Sequence, residues 1–314
     1  MADKIEDTKA FILASGLGLR LRPLTDTTNK GMLPVAGKPV FEHILESIVN
    51  AGIKEVVFGV GHLREQVMDY FGNGERFGVH IDYSVAESKE MPNTAGQISL
   101  AKPFLEGADD ILVYYGDVMT NLDVAAFYKV HKESGKVITS PGTRQLKTES
   151  GVYIIDGSGT VIEFEEKPDI KKMAEKAFYS ALRLYGKNIG SFENLAQDDA
   201  TKPFCTDNAY VISREGDVYQ IKVDELISLA LLDRMRSNVP VYWATKEIWS
   251  SQGMAVGKDF NEHVFRHLAG QGKAAIFTQQ DPELYHFDIG DLKKYEITCR
   301  AYETGTQVEI GKLA

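Results

Sequence analysis

Cysteine is scarce. Cys205 and Cys299 are the only two in 314 residues, too few for a disulfide framework, and no C-x-x-C or H-E-x-x-H pattern marks a zinc site. Each reads as a small core residue rather than a reactive one. A basic excess is also missing: 35 Lys and Arg against 45 Asp and Glu leave a formal net charge of -10. Broad nucleic-acid binding, which depends on clustered cations that neutralise phosphates, is not expected, so any phosphate site must be local. No apolar stretch approaches the length of a membrane span, and the first ten residues lack the apolar run of a secretory signal. The expectation is a soluble cytoplasmic protein without a membrane partner. Two nucleotide motifs are absent as well. No Gly-Lys pair is followed by Ser or Thr, against a P-loop, and the first loop lacks G-x-G-x-x-G, against a dinucleotide-binding dehydrogenase.

What is present is a chain with 43% hydrophobic residues, enough to bury a substantial core. The run AFILA, within 9–14, reads as a buried strand opening into a Gly-containing loop. Phe41, Ile44, Leu45 and Ile48 then recur at helical spacing, with Gly52 as a stop, before the strand EVVFGV. A helix around 63–71, an alternating strand at Val79, Ile81, Tyr83 and Val85, and the apolar strand ILVYY ending at Gly116 and Asp117 continue the pattern. This alternation predicts an α/β fold, a mostly parallel sheet with helices on both faces, whose ligands gather beyond the carboxyl ends of the strands.

From Gly151 the pattern changes. GVYIID and TVIEFEE, separated by Gly157, Ser158 and Gly159, predict a small antiparallel hairpin ending at Lys167 and Pro168. Residues 171–238 carry two helical patterns, MAEKAFYSALRLYG and KVDELISLALLDRMR, around a polar passage. They read as a helical insertion, either a contact in a homo-oligomer or a subdomain docked on the parent, within one domain whose first half is mainly 9–170. The remainder, 239–314, supplies VYWA, a helix with Phe260, Val264, Phe265 and Leu268 on one side, the strand AAIFT and the segment YHFDIGD. No hexapeptide repeat follows, so no β-helix is expected within these residues.

Chemistry concentrates in a few places. LASGLGLRLRPLTDTTNKGMLPVAGKP, from Leu13 to Pro39, combines glycines that let backbone N–H groups approach a phosphate with the positive charges of Arg20 and Lys30. In register it resembles the signature of the sugar-1-phosphate nucleotidylyltransferases, L-A-G-G-x-G-T-R-L-x-P-L-T followed by P-K-x-L-L-P-V-x-G-K-P. Ser15, Leu19 and Asn29 depart from it, standing where Gly, Thr and Pro are usual. Glu87 and NTAGQISLA resemble E-x-x-P-L-G-T-A-G-A-L, YYGDV resembles the G-D strand end, Glu166, Lys167 and Pro168 match E-K-P, and HFDIGDLKKYE resembles W-x-D-I-G-T-P-x-D-Y.

The resemblance implies a GT-A-like nucleotidyltransferase architecture and a reaction joining an NTP to a sugar 1-phosphate with release of pyrophosphate. It implies that Arg20 and Lys30 hold the triphosphate, and that Leu13, Ala14, Ser15, Gly16, Gly18, Glu87, Thr94, Ala95, Gly96 and Asp117 surround the nucleotide. By the same likeness Gly151, Glu166 and Lys167 face the sugar phosphate, Lys167 with a catalytic role, while Asp117 and Asp288 hold Mg2+. Other readings stay open: a cytidylyl-type transferase for a polyol or choline phosphate, and a regulatory paralogue that binds nucleotide sugar without turnover. Base and sugar are not fixed: Glu87 with Thr94, Ala95 and Gly96 leans slightly towards guanylyl and uridylyl transfer, with thymidylyl transfer nearly as open.

Overall fold

The computed structural model describes residues 5–86, 93–143, 151–155, 158–167, 209–214, 217–222, 235–279 and 284–305. Its first strand, β1 (Lys9–Ala14), shows why the sheet is buried on both sides: Ala10, Ile12 and Ala14 join one apolar cluster and Phe11 and Leu13 another. A strand in the middle of a parallel sheet needs apolar residues in both phases of its period of two, and KAFILA supplies them. After the Gly-rich loop, β2 (Pro34–Val35) and β3 (Lys38–Pro39) form a minimal hairpin across Ala36 and Gly37, both at positive φ, as a two-residue turn requires. Next, α1 (Val40–Asn50) buries Val40, Phe41, Ile44, Leu45 and Ile48, the 3-4 spacing of one helical face. Covering Phe41 alone is worth about 1.5–3 kcal/mol.

The chain continues through β4 (Glu55–Val60), α2 (Arg64–Phe71), β5 (His80–Val85), α3 (Thr94–Leu100), α4 (Lys102–Leu105) and β6 (Asp110–Tyr115). Strands β4 and β6 flank β1 on opposite sides, both parallel to it, and β5 extends the β4 side. A short β7 (Val118–Thr120) leads into α5 (Val124–Ser134), whose first turn is capped by Asp123 accepting from the Ala126 N–H at 2.8 Å. Then come β8 (Ile138–Thr143), β9 (Val152–Ile155) and β10 (Val161–Glu165), the last two an antiparallel pair as the sequence predicts.

Of the segment 171–238, the described residues are three strands. β11 (Ala209–Arg214) and β12 (Asp217–Lys222) pair only with each other, and β13 (Met235–Asn238) lies inside the main sheet between β8 and β9. The second helical pattern was expected to run to Arg236. Its end is instead strand, because buried Arg236 pairs with β9 and buried Ser237 with both β9 and β8, a tertiary pairing that overrides local periodicity. Apart from Lys222, which ends β12, the rest of both helical patterns lies outside the described residues.

β14 (Val241–Thr245) then inserts antiparallel between β6 and β8. A π-helical turn, Phe260–Phe265, runs into α6 (Arg266–Gly270) and buries Phe260, Val264, Phe265 and Leu268 together, followed by β15 (Ala274–Phe277) parallel to β8. The chain closes with β16 (His286–Asp288) and α7 (Leu292–Thr304). The described sheet runs β10-β9-β13-β8-β14-β6-β1-β4-β5 with β15 on β8. Helices α1 and α5 pack with one apolar cluster, α3, α4 and the 260–270 helical stretch with the other, giving the helix-sheet-helix layering that strand-helix alternation predicts.

Candidate active site

The order of the strands places the site. From β1 the chain steps outward to β4 and β5, then returns to β6 on the other side of β1. Loops leaving β1 and β6 therefore part in opposite directions, opening a crevice beyond the strands' carboxyl ends, the topological switch point where α/β sheets hold ligands. A cleft of about 120 Å³ occupies it, lined by Leu13, Ala14, Gly16, Lys30, Thr94 and Asp117 together with Asn29, Gly31, Phe41, Gln97, Tyr115 and Gly116. The first six are residues that the sequence nominates. The other six were missed, although Gly116 and Tyr115 stand directly before Asp117 and Asn29 and Gly31 flank Lys30.

Within the Gly-rich loop, Gly18 sits at φ 64, a left-handed conformation suited to glycine, and its carbonyl accepts from the Thr25 hydroxyl at 2.8 Å. Ser15 is not among the positive-φ residues, so a serine stands in the usual glycine position without backbone strain. Its side chain is 1% exposed, its hydroxyl has no hydrogen-bond partner among the described residues, and it packs against Gly61 rather than lining the cleft. Asn29 has a clear structural reason. Its N–H donates to Gln66 Oε1 at 2.8 Å, its Nδ2 to the His62 carbonyl at 2.8 Å, and its Oδ1 accepts from the Gly31 N–H at 3.0 Å. Proline could make none of these bonds, so Asn29 fastens the lysine loop to the 62–66 segment by means of its own. Leu19 is exposed, and nothing in the structure explains its choice.

Lys30 donates to Asp117 Oδ2 at 2.6 Å. Burial pushes the Asp117 carboxyl up, but the Lys30 ammonium, by charge and hydrogen bond, and the more distant charge of Arg20 outweigh it and hold the group below the ordinary carboxylate range. Asp288 reaches the same place from the far end of the chain. β16 pairs antiparallel with β7, setting Asp288 opposite Val118, and the Ile289 N–H donates to the Asp117 carbonyl at 2.9 Å. A Cβ placed on Gly290 would fall 2.7 Å from Asp288 Oδ1 and 2.9 Å from Arg20 Nη2, so Arg20 and Asp288 both close on a point that only glycine leaves open. Asp288 Oδ2 accepts from Lys294 Nζ at 3.2 Å, a half-exposed pair of the kind worth about 0–1 kcal/mol. Magnesium favours oxygen donors and takes one or two carboxylates alongside phosphates and water. Two carboxylates, one just before β7 and one at the end of its partner β16, fit that demand, while no group of three or more His, Cys, Asp or Glu side chains among the described residues is placed to hold a metal.

At the β10 end lie Glu166 and Lys167. Glu166 Oε2 is buried without a hydrogen-bond partner among the described residues, and a Cβ on Gly151 would fall 2.8 Å from it, so Gly151 and Glu166 do meet. Burial, reinforced by the Asp259 carboxylate and opposed by the Lys167 ammonium, pushes the Glu166 carboxyl up to about 7. Lys167 is exposed at φ 45, an unusual conformation for a non-glycine residue that recurs at ligand sites. A buried polar network underlies this end: Tyr242 donates to Asn261 Oδ1 at 2.6 Å, Asn238 Nδ2 donates to the Tyr242 hydroxyl at 2.8 Å, and Tyr153 donates to Asn238 Oδ1. Tyr115 and Tyr242, ring centroids 6.0 Å apart, join the two ends.

The expected base-reading segment divides. Thr94 and Gln97 line the cleft, but Ala95 and Gly96 are buried, and the Ala95 N–H donates to the Lys258 carbonyl at 3.1 Å. Thr94 Oγ1 donates to Asp259 Oδ2 at 3.1 Å and accepts from the Phe260 N–H at 2.7 Å. Asp259 in turn caps the π-helical turn, accepting from the Asn261 and Glu262 N–H groups. The D-F-N-E run carried that capping signal in the sequence. Glu87 lies outside the described residues.

Parallel strands, a switch-point crevice, a Gly-rich first loop and a strand-end carboxylate together define an α/β protein with a ligand crevice at its switch point. The chain belongs to the nucleotidyl transferase family, whose model matches residues 9–304. It is 35% identical over 194 residues to the UTP–glucose-1-phosphate uridylyltransferase of Synechocystis sp., covering 58% of this chain and 50% of that protein. It is 44% identical over 121 residues to the N-acetylmuramate alpha-1-phosphate uridylyltransferase of Neisseria meningitidis, covering 38% and 52%. Against the glucose-1-phosphate thymidylyltransferase of Streptomyces griseus the identity is 36% over 165 residues, covering 51% and 44%. The chain thus spans about half the length of the curated relatives it matches. Two solved structures share the fold: a Bacillus anthracis protein assigned as a glucose-1-phosphate thymidylyltransferase, with TM-score 0.63, 18% identity and 95% of each chain covered, and HddC from Yersinia pseudotuberculosis, with TM-score 0.57, 17% identity and 94% and 99% covered.

Proposed function

We propose that the chain joins a nucleoside triphosphate to a sugar 1-phosphate, releasing pyrophosphate. The observation that carries this reading is the pairing of Lys30 with Asp117 at the β1–β6 switch point, with Asp288 brought beside them by β16. Arg20 and Lys30 bind the triphosphate, Thr94 and Gln97 border the nucleoside, and Lys167 draws in the sugar phosphate beside Glu166 and Gly151. Asp117 and Asp288 would hold magnesium, which when bound supplies neutralisation of charge on the phosphates. The sugar-phosphate oxygen attacks the α-phosphorus in line, forming the new P–O bond as pyrophosphate leaves. That oxygen is already anionic, so the residues contribute position and charge, not proton abstraction.

The relatives named for uridylyl and thymidylyl transfer to glucose 1-phosphate and N-acetylmuramate 1-phosphate support this substrate class. The test is a matrix of the five common nucleoside triphosphates against glucose, mannose, galactose, N-acetylglucosamine and N-acetylmuramate 1-phosphates with magnesium, read by pyrophosphate release. Turnover in one or a few cells is expected. Silence across the matrix, with turnover on choline or a polyol phosphate or with nucleotide-sugar binding alone, would replace the reading.

A further inference from the structure

The carboxylates of this site are already matched by ammonium groups: Lys30 lies on Asp117 and Lys294 on Asp288. The second pair is unexpected on local grounds. Lys294 stands in the first turn of α7, where its own N–H donates to the N-cap Asp291 at 3.0 Å. The amino end of a helix carries partial positive charge and favours anions, so a lysine there works against the helix. What it gains lies across the turn, in Asp288. With Arg20 beside Gly290, three cations face these two carboxylates among the described residues. Such a set repels a bare cation and attracts an anionic nucleotide complex.

We propose that Lys294 is a positioning residue that occupies the cation side of Asp288 and yields it only to a divalent ion delivered on a nucleotide, so the nucleotide-free protein does not collect free divalent ions. The identity of the delivering ligand rests on the nucleotidyl-transfer reading; the exclusion of the bare ion does not. Both partners are partly exposed, Lys294 by 30% and Asp288 by 42%, so the pair can part without unpacking the core.

The experiment titrates Mn2+ into the nucleotide-free protein at low ionic strength and reads free Mn2+ by electron paramagnetic resonance, with no turnover involved. Lys294→Gln should bind Mn2+ about tenfold more tightly than the unaltered chain, the scale of removing one nearby charge in a partly screened site. Lys294→Arg, which keeps the charge, should bind as weakly as the unaltered chain. Adding Asp288→Asn to Lys294→Gln should abolish the gain. Lys294→Met repeats the charge removal should glutamine disturb the helix, with circular dichroism checking the fold. Equal Mn2+ affinity in the unaltered chain and both neutral variants, or a gain that survives Asp288→Asn, would overturn the proposal. If the substrate matrix is silent but the Mn2+ pattern holds, the activity reading fails and this one stands.

Discussion

At the β1–β6 end of the crevice, Asp117 and Asp288 each lie against a lysine, whereas at the β10 end Glu166 has one buried oxygen unpaired among the described residues and the Asp259 carboxylate nearby. Asp117 is held in its charged form, whereas Glu166 is driven towards its neutral form. Sequence alone would score all three as acidic residues. Burial raises both Asp117 and Glu166; what separates them is that Lys30, brought in by the first loop, outweighs burial at Asp117, whereas at Glu166 the Asp259 carboxylate reinforces burial and Lys167 only partly opposes it. The charged end suits exchange of one cation for another around phosphate. The neutral end suits hydrogen bonding to an uncharged ligand surface such as sugar hydroxyls.

The contrast breaks most severely at the charged end. Asp117→Asn and Asp288→Asn should each lower kcat/KM on the order of 10²-fold or more, as for other electrostatic stabilisers, with the fold intact. If the two share one ion, the double variant should lose little beyond the worse single, measured over a magnesium titration. Near-normal activity in either single variant would separate that residue from the site.

A smaller effect is expected at Gly290. The added methyl of Gly290→Ala meets the far ends of Asp288 and Arg20, not the backbone of other elements. Both side chains can swing away, so the melting temperature should hold while kcat/KM falls between about ten- and a hundredfold, the usual cost of a catalytic group displaced by an ångström. A large loss of stability would show that the glycine serves packing instead.

The smallest effect belongs to Glu166 and is read as pH dependence. A carboxyl whose folded value lies near 7, above its ordinary 4.5, adds stability that is fully present below about 4.5 and is lost as pH rises through about 7. Glu166→Gln cannot ionise. Its melting temperature should therefore gain on the unaltered chain between pH 4.5 and 7 and keep a constant lead above that. A flat difference across the range would mean that Glu166 titrates normally.

Much of this was legible before the fold was known. KAFILA, EVVFGV and ILVYY have the apolar continuity of central parallel strands, and Asp117 follows the third of them at the end where ligands collect. Asp288 was legible only through its motif, because nothing local to YHFDIGD shows that β16 will pair with β7. Lys294 was hidden for a similar reason. Read along the sequence it is one of two lysines opening a helix, and its partner becomes visible only when Asp291 fixes where that helix begins. Likewise Met235 and Arg236 end a helical periodicity, and only the neighbouring strands make them β.

The β7–β16 pairing also sets an order of events for the growing chain. Strands β1, β4, β5 and β6 all precede residue 116 and can form the floor of the crevice from their own contacts. Asp288 cannot arrive until some 170 residues later, and it must then close a loop of that length onto a ribbon only three residues wide. Contacts so distant in sequence form late in folding. A nascent chain would thus present the Gly-rich loop with a single carboxylate, and would gain its second only once residues 286–288 have been made and dock on β7.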